Sequence, residues 1–271
     1  MRRLRISSCM APNMDRMVAA MAEWLSQDLD MAVEFVQGVG WRRREALFDQ
    51  GEIDLLWICG LPYIWKADNP ARKIRLVGEP VMAAKRYLRL PIYYSDVVVA
   101  REAPFQKFLD LAKVRWAINE PGSHSGYNLT RFKLAQLGLD WTFFRSVRMA
   151  GSHQACLAAL LAAEIEAAAI DSTVLEMAVH RNPGLMERIR IIETFGPSPI
   201  PPWIAKDGME ATLLARLRSS MLAMAEDSDG RKGLALGGVA RLTAVDDNTY
   251  DPIRQMERIA KQIPPFEGFD D

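Results

Sequence analysis

The sequence predicts an α/β protein of two lobes, each a mixed, mostly parallel sheet flanked by helices. Short apolar runs typical of strands alternate almost throughout with stretches in which apolar residues recur every three or four positions, as they do in helices. Two long extended segments interrupt this alternation. A stretch of chain between two such crossings indicates an inserted lobe, and the other lobe is then built from both ends of the chain.

Strands are predicted from short runs rich in apolar and β-branched residues. In chain order they cover residues 4–8, 32–36, 54–58, 92–100, 115–118, 167–170 and 189–193. Helices are predicted at 14–25, 128–137 and 154–162, and Gly138 is a stop signal for the second of them. In the first helix the apolar residues fall on one face: Met14, Met17, Val18, Met21, Trp24 and Leu25.

The two extended segments set the predicted domain boundaries. The run LRLPIYYSDVVVA (88–100) is too long for one short strand, and GPSPIPPW (196–203) contains prolines that cannot continue a helix or a central strand. We therefore predict one lobe from residues 1–92 and 191–271, an inserted lobe from 93–190, and a ligand cleft between them. Interfaces of this kind are where small-molecule sites prefer to form.

Composition argues against several classes of function. Lys and Arg number 34, as do Asp and Glu, so no net charge attracts nucleic acid or anionic lipid. No run approaches the ~18 consecutive apolar residues that a membrane span needs. The cysteines, Cys9, Cys59 and Cys156, lack disulfide-framework spacing, and the scattered histidines form no standard zinc pattern. We predict no cofactor, no metal, no nucleic-acid partner and no membrane span.

The N-terminal residues MRRLRISSCMAPN have no apolar segment after the basic ones, so no export signal is predicted in this sequence. The protein is expected to be cytoplasmic if Met1 is the native start. It is expected to be periplasmic if an export signal was removed.

Polar residues follow strands at four places where a helix is expected to begin. A helix start presents unpaired N–H groups and the positive end of the helix dipole, which together favour anions. The clearest case is NEPGSHSGY (119–127), where Ser123 and Ser125 offer hydroxyls and Gly126 lets the backbone approach a ligand closely. An ordinary helix cap is the alternative.

The other three places leave similar alternatives open. His153 opens the helix after GS (151–152) and is either an anion contact or a surface histidine. Asp171 accepts from a protonated ligand oxygen or an amine, or it caps the next helix. Tyr63 or Trp57 lines a pocket, or packs in the core, which is the favoured expectation for Trp57. Tyr93 and Tyr94 alternate along a strand, so only one of them can be core.

Several blocks of the sequence resemble the phosphate/phosphonate-binding branch of ABC-transporter substrate-binding proteins, and they occur in the expected order. The blocks are GEIDLLWICGLPYIW (51–65), PIYYSDVVVAREAPFQKFLDL (91–111), NEPGSHSGYNLTRF (119–132), GSHQACLAALLAAEIEAAAIDSTVLE (151–176), GPSPIPPW (196–203) and VDDNTYDPIRQM (245–256). The block that runs from GSH to DSTVLE, together with SPIPP, is the specific one.

The resemblance implies a periplasmic-binding-protein-like type II fold, in which two lobes close on a ligand around extended hinge segments. In that family the Ser-x-Ser turn and the histidine of the GSH block hold a tetrahedral oxyanion. By match this assigns ligand contacts to Ser123, His124, Ser125 and His153, with Asp171, Tyr63 and Tyr93 or Tyr94 nearby. The chain departs from the family in lacking an export signal and in having His124 where a small hydroxyl residue is common.

Two classes of function are compatible with these patterns. The first is a transporter substrate-binding protein that captures a small oxyanion or phosphonate-like solute and docks on an ABC permease. The alternative is a cytoplasmic enzyme on the same fold, such as a decarboxylase or dehydratase of small organic acids, with His153 and either Asp171 or Glu120 as its acid/base pair. An intracellular ligand sensor is a further alternative.

Overall fold

The computed structural model describes residues 3–71 and 73–266 of the chain. The chain forms two compact units: unit 1 comprises Met1–Ile92 and Pro199–Asp251, and unit 2 comprises Tyr93–Ser198 and Pro252–Asp271. The predicted boundaries differ from these at two places, because 191–198 and the stretch after Asp251 were assigned to the other lobe. The chain therefore passes between the units a third time, between Asp251 and Pro252, which was not predicted.

Strands and helices alternate along most of the chain. The strands are β1 (Arg3–Ser8), β2 (Ala32–Phe35), β3 (Leu55–Trp57), β4 (Arg75–Met82), β5 (Ile92–Ala100), β6 (Arg115–Ile118), β7 (Ser146–Met149), β8 (Ala167–Asp171), β9 (Ile189–Pro199), β10 (Trp203–Ala205) and β11 (Val239–Thr243). The helices are α1 (Asp15–Asp28), α2 (Trp41–Asp49), α3 (Gly60–Ala67), α4 (Leu129–Gln136), α5 (His153–Leu161), α6 (Ser172–Arg181), α7 (Leu185–Arg188), α8 (Ala211–Ala223), α9 (Ser228–Ala235) and α10 (Asp251–Ala260).

Every predicted strand is present, and apart from β9 no strand end differs from the prediction by more than one residue. Four further strands, β4, β7, β10 and β11, were not predicted. Gly78 and Pro80 interrupt the strand pattern of β4, and the other three are short. The apolar face of α1 is confirmed, since Met17, Met21 and Leu25 are fully buried. Trp24 at the margin of that face is only half-buried.

The sheet of unit 1 is more antiparallel than predicted. Its strand order is β11-β4-β10-β3-β1-β2. β1 runs parallel to β2 and β3, but β10 runs antiparallel to both β3 and β4, and β11 runs antiparallel to β4. A crossover helix imposes the parallel direction on consecutive strands. β10 instead enters the sheet after the chain has returned from unit 2, so no such connection constrains it.

The sheet of unit 2 has the order β7-β6-β8-β5-β9. β6 pairs in parallel with both of its neighbours, β7 and β8, whereas β5 runs antiparallel to β8. A helix follows each of the three parallel strands. Because the carboxyl ends of adjacent parallel strands lie at the same edge of a sheet, the starts of these helices are brought together there.

Each of the two extended segments contributes to a long strand in the sheet of unit 2, β5 or β9. β5 spans 92–100 without a break, although the run was judged too long for one short strand. β9 continues from the predicted 189–193 as far as Pro199, through a cis Gly196–Pro197 peptide bond. The prolines are compatible with β9 because it is an edge strand, where one side of the backbone needs no hydrogen-bonding partner.

Apolar side chains cover both faces of the unit 2 sheet. On one face Trp116 packs against Phe108 and Phe144, and on the other Cys156 of α5 belongs to the same core cluster as Ala168 of β8. Tight packing on both faces holds the ends of β6, β7 and β8 in place. Within residues 3–71 and 73–266, no helix is both long and apolar enough to cross a membrane.

Candidate functional site

Each of the three helices that follow the parallel strands of unit 2 is capped by a polar side chain. The Ser123 Oγ accepts from the Gly126 N–H at 3.0 Å, and the Ser152 Oγ accepts from the Ala155 N–H at 3.0 Å. The Asp171 Oδ1 accepts from the Thr173 N–H at 2.8 Å. The capping alternative is therefore confirmed for Ser123 and Asp171, and a role toward a ligand would be additional to it.

The first helix start is a π-helical turn, His124–Asn128, rather than the expected α-helical one. The Asn128 N–H donates to the Ser123 carbonyl at 3.0 Å, five residues back, and α4 follows directly. A π-turn widens the helix locally and is frequent at functional sites. The first backbone N–H groups of the turn do not take part in the hydrogen bonds within the helix, as at any helix start.

His153 joins the three strand ends into one hydrogen-bonded cluster. Its Nε2 lies 3.0 Å from the Ser125 Oγ and 3.2 Å from the Asn119 Nδ2. Its Nδ1 lies 3.4 Å from the Asp171 backbone N. Ser125, Asn119 and His153 are all more than nine-tenths buried. Ser123 extends the cluster, with its Oγ 3.5 Å from the Ser125 Oγ.

Both ring nitrogens of His153 have polar neighbours within unit 2, Asn119 and Ser125 at Nε2 and the Asp171 backbone at Nδ1. Burial lowers the pKa of His153 to about 4, and the Ala169 carbonyl opposes that shift only in part. The imidazole is therefore neutral near pH 7.

Gly126 makes room for Asn119 rather than for a ligand. A Cβ at Gly126 would lie 2.0 Å from the Asn119 Oδ1 and 3.0 Å from the His153 Cε1. The glycine thus allows the side chain of Asn119 to lie against the turn and reach His153. Asn119 was not singled out from the sequence, although a polar residue directly after the buried strand β6 was a signal for it.

The imidazole of His124 is fully buried inside unit 2. The Asn128 Nδ2 lies 3.1 Å from its Nδ1 and can only donate, so Nε2 carries the proton toward the Ser198 Oγ at 3.0 Å. Burial lowers the pKa of His124 to about 3. The ring of His124 therefore has hydrogen-bonding partners inside unit 2, and the expected contact of this residue with a ligand stays a prediction.

Asp171 lies at the start of α6, partly exposed. Burial raises the pKa of its carboxyl to about 6, although hydrogen bonds from Thr173 act in the opposite direction. The carboxylate accepts from the Thr173 hydroxyl at 2.7 Å, while the contact of Asp171 with His153 is through the backbone N–H. The acid/base pair that an enzyme would need is not formed between these two side chains.

The tyrosines predicted from the sequence lie in different environments. Tyr93 is buried with its ring 6.5 Å from that of His124, whereas Tyr94 is half-buried and its N–H donates to the Ser172 Oγ at 3.0 Å. This confirms that only one of the pair is core. Tyr63 belongs to unit 1, where its hydroxyl donates to the Asp247 Oδ1 at 2.6 Å.

Trp57 packs in unit 1, as expected. Its ring stacks on Trp203 at 5.5 Å, and its Nε1 donates to the Pro201 carbonyl at 2.9 Å. In the described parts of the chain, no group of three or more His, Cys, Asp or Glu side chains is placed to hold a metal ion.

Residues 6–250 match a protein family described as ABC transporter, phosphonate, periplasmic substrate-binding protein. The chain belongs to this family. The resemblance stated from the sequence blocks is thereby confirmed, and family membership favours a substrate-binding protein over the enzyme alternative.

Solved structures of low sequence identity share the fold of this substrate-binding protein. PhnD1 from Prochlorococcus marinus, in complex with methylphosphonate, is 18% identical with a TM-score of 0.84, covering 96% of this chain and 99% of that one. A binding-protein component of an ABC phosphonate transporter from Pseudomonas aeruginosa is 16% identical with a TM-score of 0.84, covering 96% and 87%. The aliphatic sulphonate-binding protein SsuA from Escherichia coli is 17% identical with a TM-score of 0.66, covering 97% and 87%.

These similarities confirm the predicted periplasmic-binding-protein-like fold of the substrate-binding protein. No sequence among curated proteins matches the chain. The identities are too low to carry ligand contacts across residue by residue, so the site of this family member has to be argued from its own geometry.

Proposed function

We propose that this substrate-binding protein binds a small tetrahedral oxyanion of the phosphonate type at the carboxyl ends of β6, β7 and β8. Ser123, Ser125 and His153 are its principal side chains. The observation that carries the proposal is the hydrogen-bonded cluster that joins three helix starts through His153. Converging helix starts supply oriented N–H groups and dipoles, which favour an anion without a cationic side chain.

Ser125 is the group that turns toward the anion. In the structure its hydroxyl lies against the His153 Nε2. A hydroxyl rotates at little cost, so it can donate to an oxyanion while its oxygen stays within reach of the ring. The backbone N–H of His124 is a second donor, at the start of the π-turn. Hydrogen bonds to a charged partner are the strong ones, and these two would act together.

Asp171 and Tyr94 complete the proposed surroundings of the anion. The carboxyl of Asp171 would accept from a ligand that carries a protonated oxygen or an amino substituent, whereas its ionised form would repel a fully ionised anion. Tyr94 lies beside the same helix start. Tyr93 supports the site from the core, next to His124. Tyr63 lies in the other unit, and its part in binding stays a prediction.

The family and its solved relatives support phosphonate as the ligand class, since one relative with the same fold was solved with methylphosphonate. The corresponding physiological role is delivery of the captured anion to the permease of an ABC transporter in the periplasm. Domains 1–92 with 199–251 and 93–198 with 252–266 would then act as the two lobes of the receptor.

A panel of anions tests the ligand class. Methylphosphonate, phosphite, phosphate, methanesulfonate and malonate are compared by thermal unfolding, because a ligand at about 100 times its Kd stabilises a protein by about 2.7 kcal/mol. We expect methylphosphonate to stabilise the protein most. Methanesulfonate is the matched probe, with the same geometry and less charge. Stabilisation by malonate alone would contradict the proposal.

A further inference from the structure

The last residues that the structure describes, 263–266, pack on unit 2, and we call them the C-terminal tail. Ile263 belongs to the core that contains Trp116, and Phe266 packs against the same core. The stretch before the tail, from Pro252 onward, also belongs to unit 2, although helix α10 begins at Asp251 in unit 1. The tail therefore reaches unit 2 after the third passage of the chain between the units.

Polar contacts join the tail to the π-turn, to helix α4 that follows it and to Trp141. The Arg131 guanidinium donates to the Ile263 carbonyl, and the Trp141 Nε1 donates to the Pro264 carbonyl at 2.9 Å. The Phe266 N–H donates to the Tyr127 hydroxyl at 3.2 Å. Arg131 is more than nine-tenths buried, so its bond to the tail is shielded from water.

Ring contacts join the same residues of the turn, the helix and the tail as these hydrogen bonds do. The ring of Tyr127 stacks on Trp141 at 5.9 Å and 16°, and Phe266 contacts Trp141 edge-on at 5.9 Å. The guanidinium of Arg131 lies 5.2 Å from the centre of the Tyr127 ring. Aromatic and cation–π contacts of this kind each add to the energy of burial, so the tail and the turn form one packed cluster.

Tyr127 connects this cluster to the site, because it lies inside the π-turn two residues after Ser125. The residue after it, Asn128, holds His124 through the ring Nδ1. A π-turn forms its hydrogen bonds between residues five apart, rather than four apart as in the α-helix that follows it, and it is rare. We therefore infer that contacts from outside the helix stabilise it. The tail supplies such contacts at Tyr127.

We propose that the C-terminal tail is a positioning element for the anion site: by holding Tyr127 and Arg131 it fixes the π-turn that presents Ser125 and the His124 N–H. The tail does not touch the anion. This proposal rests on the proposed function for the position of the site, but it assigns a part in binding to residues far along the chain from the Ser-x-Ser turn.

The test uses the protein with its chain ended after Gln262, which removes the tail. The matched control is Val114→Ala, which disturbs the same core at a buried residue outside the turn and the tail. For each protein the Kd for methylphosphonate is measured by calorimetry, stability by urea unfolding, and exchange of the backbone N–H groups of 124–130 by hydrogen–deuterium exchange. Phe266→Ala is the milder variant if the shortened chain does not fold.

Removal of the tail is expected to raise the Kd at least tenfold and to speed exchange in the turn. Val114→Ala is expected to lower stability with the Kd and the exchange of the turn unchanged. A shortened or Phe266→Ala protein that loses stability but keeps both its Kd and its slow exchange would overturn the proposal. If the full-length protein binds none of the anions, the proposed function fails. Hydrogen–deuterium exchange in the π-turn then decides by itself whether the tail holds the turn in place.

Discussion

Units 1 and 2 use the carboxyl ends of their parallel strands differently. In unit 2 a single imidazole, His153, links Asn119, directly after β6, with the backbone of Asp171 at the end of β8. In unit 1 the residues at the ends of β1 and β3 serve packing: Trp57 stacks on Trp203, and the Ser8 carbonyl accepts from the buried Arg44 at 2.7 Å. The same strand–helix geometry therefore carries different contacts in the two units.

From this difference we expect the anion to be held by polar side chains that bond across strands and can still exchange a partner. Ser125 has such a hydroxyl. The Tyr63 hydroxyl of unit 1 is instead bound to a carboxylate at 2.6 Å, which is a short, charge-assisted bond and costly to break. The following predictions test this difference between the units, from the largest expected effect to the smallest.

Replacement of His153 by Ala should have the largest effect on binding. Ser125 and Asn119 both lose their buried partner, so the Ser125 hydroxyl is no longer held where it would donate to the anion. That bond to a charged ligand would be worth about 1.5–3 kcal/mol, so the affinity for methylphosphonate should fall by about 100-fold. Tyr63→Phe is the counterpart in unit 1, and its effect on calorimetric affinity should be far smaller. Equal losses of affinity in the two variants would contradict the difference described between the two units.

Gly126→Ala should destabilise unit 2 by about 2 kcal/mol, the usual cost of overpacking a core. The new methyl group would lie 2.0 Å from the Asn119 Oδ1, so the amide has to move and lose its bond to His153. Gly184→Ala is the control in the same unit, because its methyl group would meet the Asn182 Oδ1 at an ordinary 3.5 Å. Urea unfolding should separate the two variants, and equal stability would contradict the packing described around Gly126.

Glu79 of unit 1 should control how stability depends on pH. The Tyr250 hydroxyl has one hydrogen and lies 2.9 Å from the Ile200 carbonyl and 3.2 Å from the Glu79 Oε2. That single hydrogen is shared between two acceptors, so the bond that Tyr250 donates to the Glu79 carboxylate offsets only part of the cost of burying its charge. Burial accordingly raises the pKa of Glu79 from 4.5 to about 7.

The sign of the effect follows from proton binding. Between pH 4.5 and about 7 the folded protein keeps a proton that the unfolded chain releases, so the free energy of unfolding falls as the pH rises. Glu79→Gln should remove that slope and stabilise the protein by about 1–3 kcal/mol at pH 8. The exposed Glu23→Gln is the control in the same unit. An unchanged pH profile of urea unfolding for Glu79→Gln would show that Glu79 is ionised in the fold.

Asp171→Asn should have the smallest effect, and one that depends on pH. The pKa of Asp171 is raised to about 6, so the carboxylate is charged at pH 8 and repels an anion, but is mostly neutral at pH 5. Asn keeps the helix cap. The variant should bind methylphosphonate about fivefold tighter than the original at pH 8, about 1 kcal/mol, and equally well at pH 5. Weaker binding at pH 8 would mean that Asp171 accepts a hydrogen from the ligand.

Local features of the site could be predicted from the sequence. Ser123, Ser125, His153 and Asp171 were identified because each follows an apolar strand and precedes a helical pattern, and both signals lie within a few residues of one another. The opposite environments of Tyr93 and Tyr94 follow from strand alternation in the same way. These inferences need no knowledge of how distant parts of the chain pack.

Features that depend on distant contacts could not be predicted. Asn119 reaches His153 across 34 positions of sequence, and His124 is buried against Ser198, 74 positions away. Nothing local distinguishes a histidine that faces a ligand from one that is packed in a core. The packing of the C-terminal tail on Tyr127 and the antiparallel entry of β10 depend likewise on where the chain returns after its passages between the units.

The most direct test of the anion site is NMR of the protein with 15N-labelled histidine, titrated with methylphosphonate. The chain has three histidines, so each ring can be assigned by substitution. An anion held by Ser125 changes the hydrogen bond on the His153 Nε2, so the ring signals of His153 should shift and saturate, while those of the exposed His180 stay fixed. Stabilisation of the protein by methylphosphonate without any change at His153 would contradict the account.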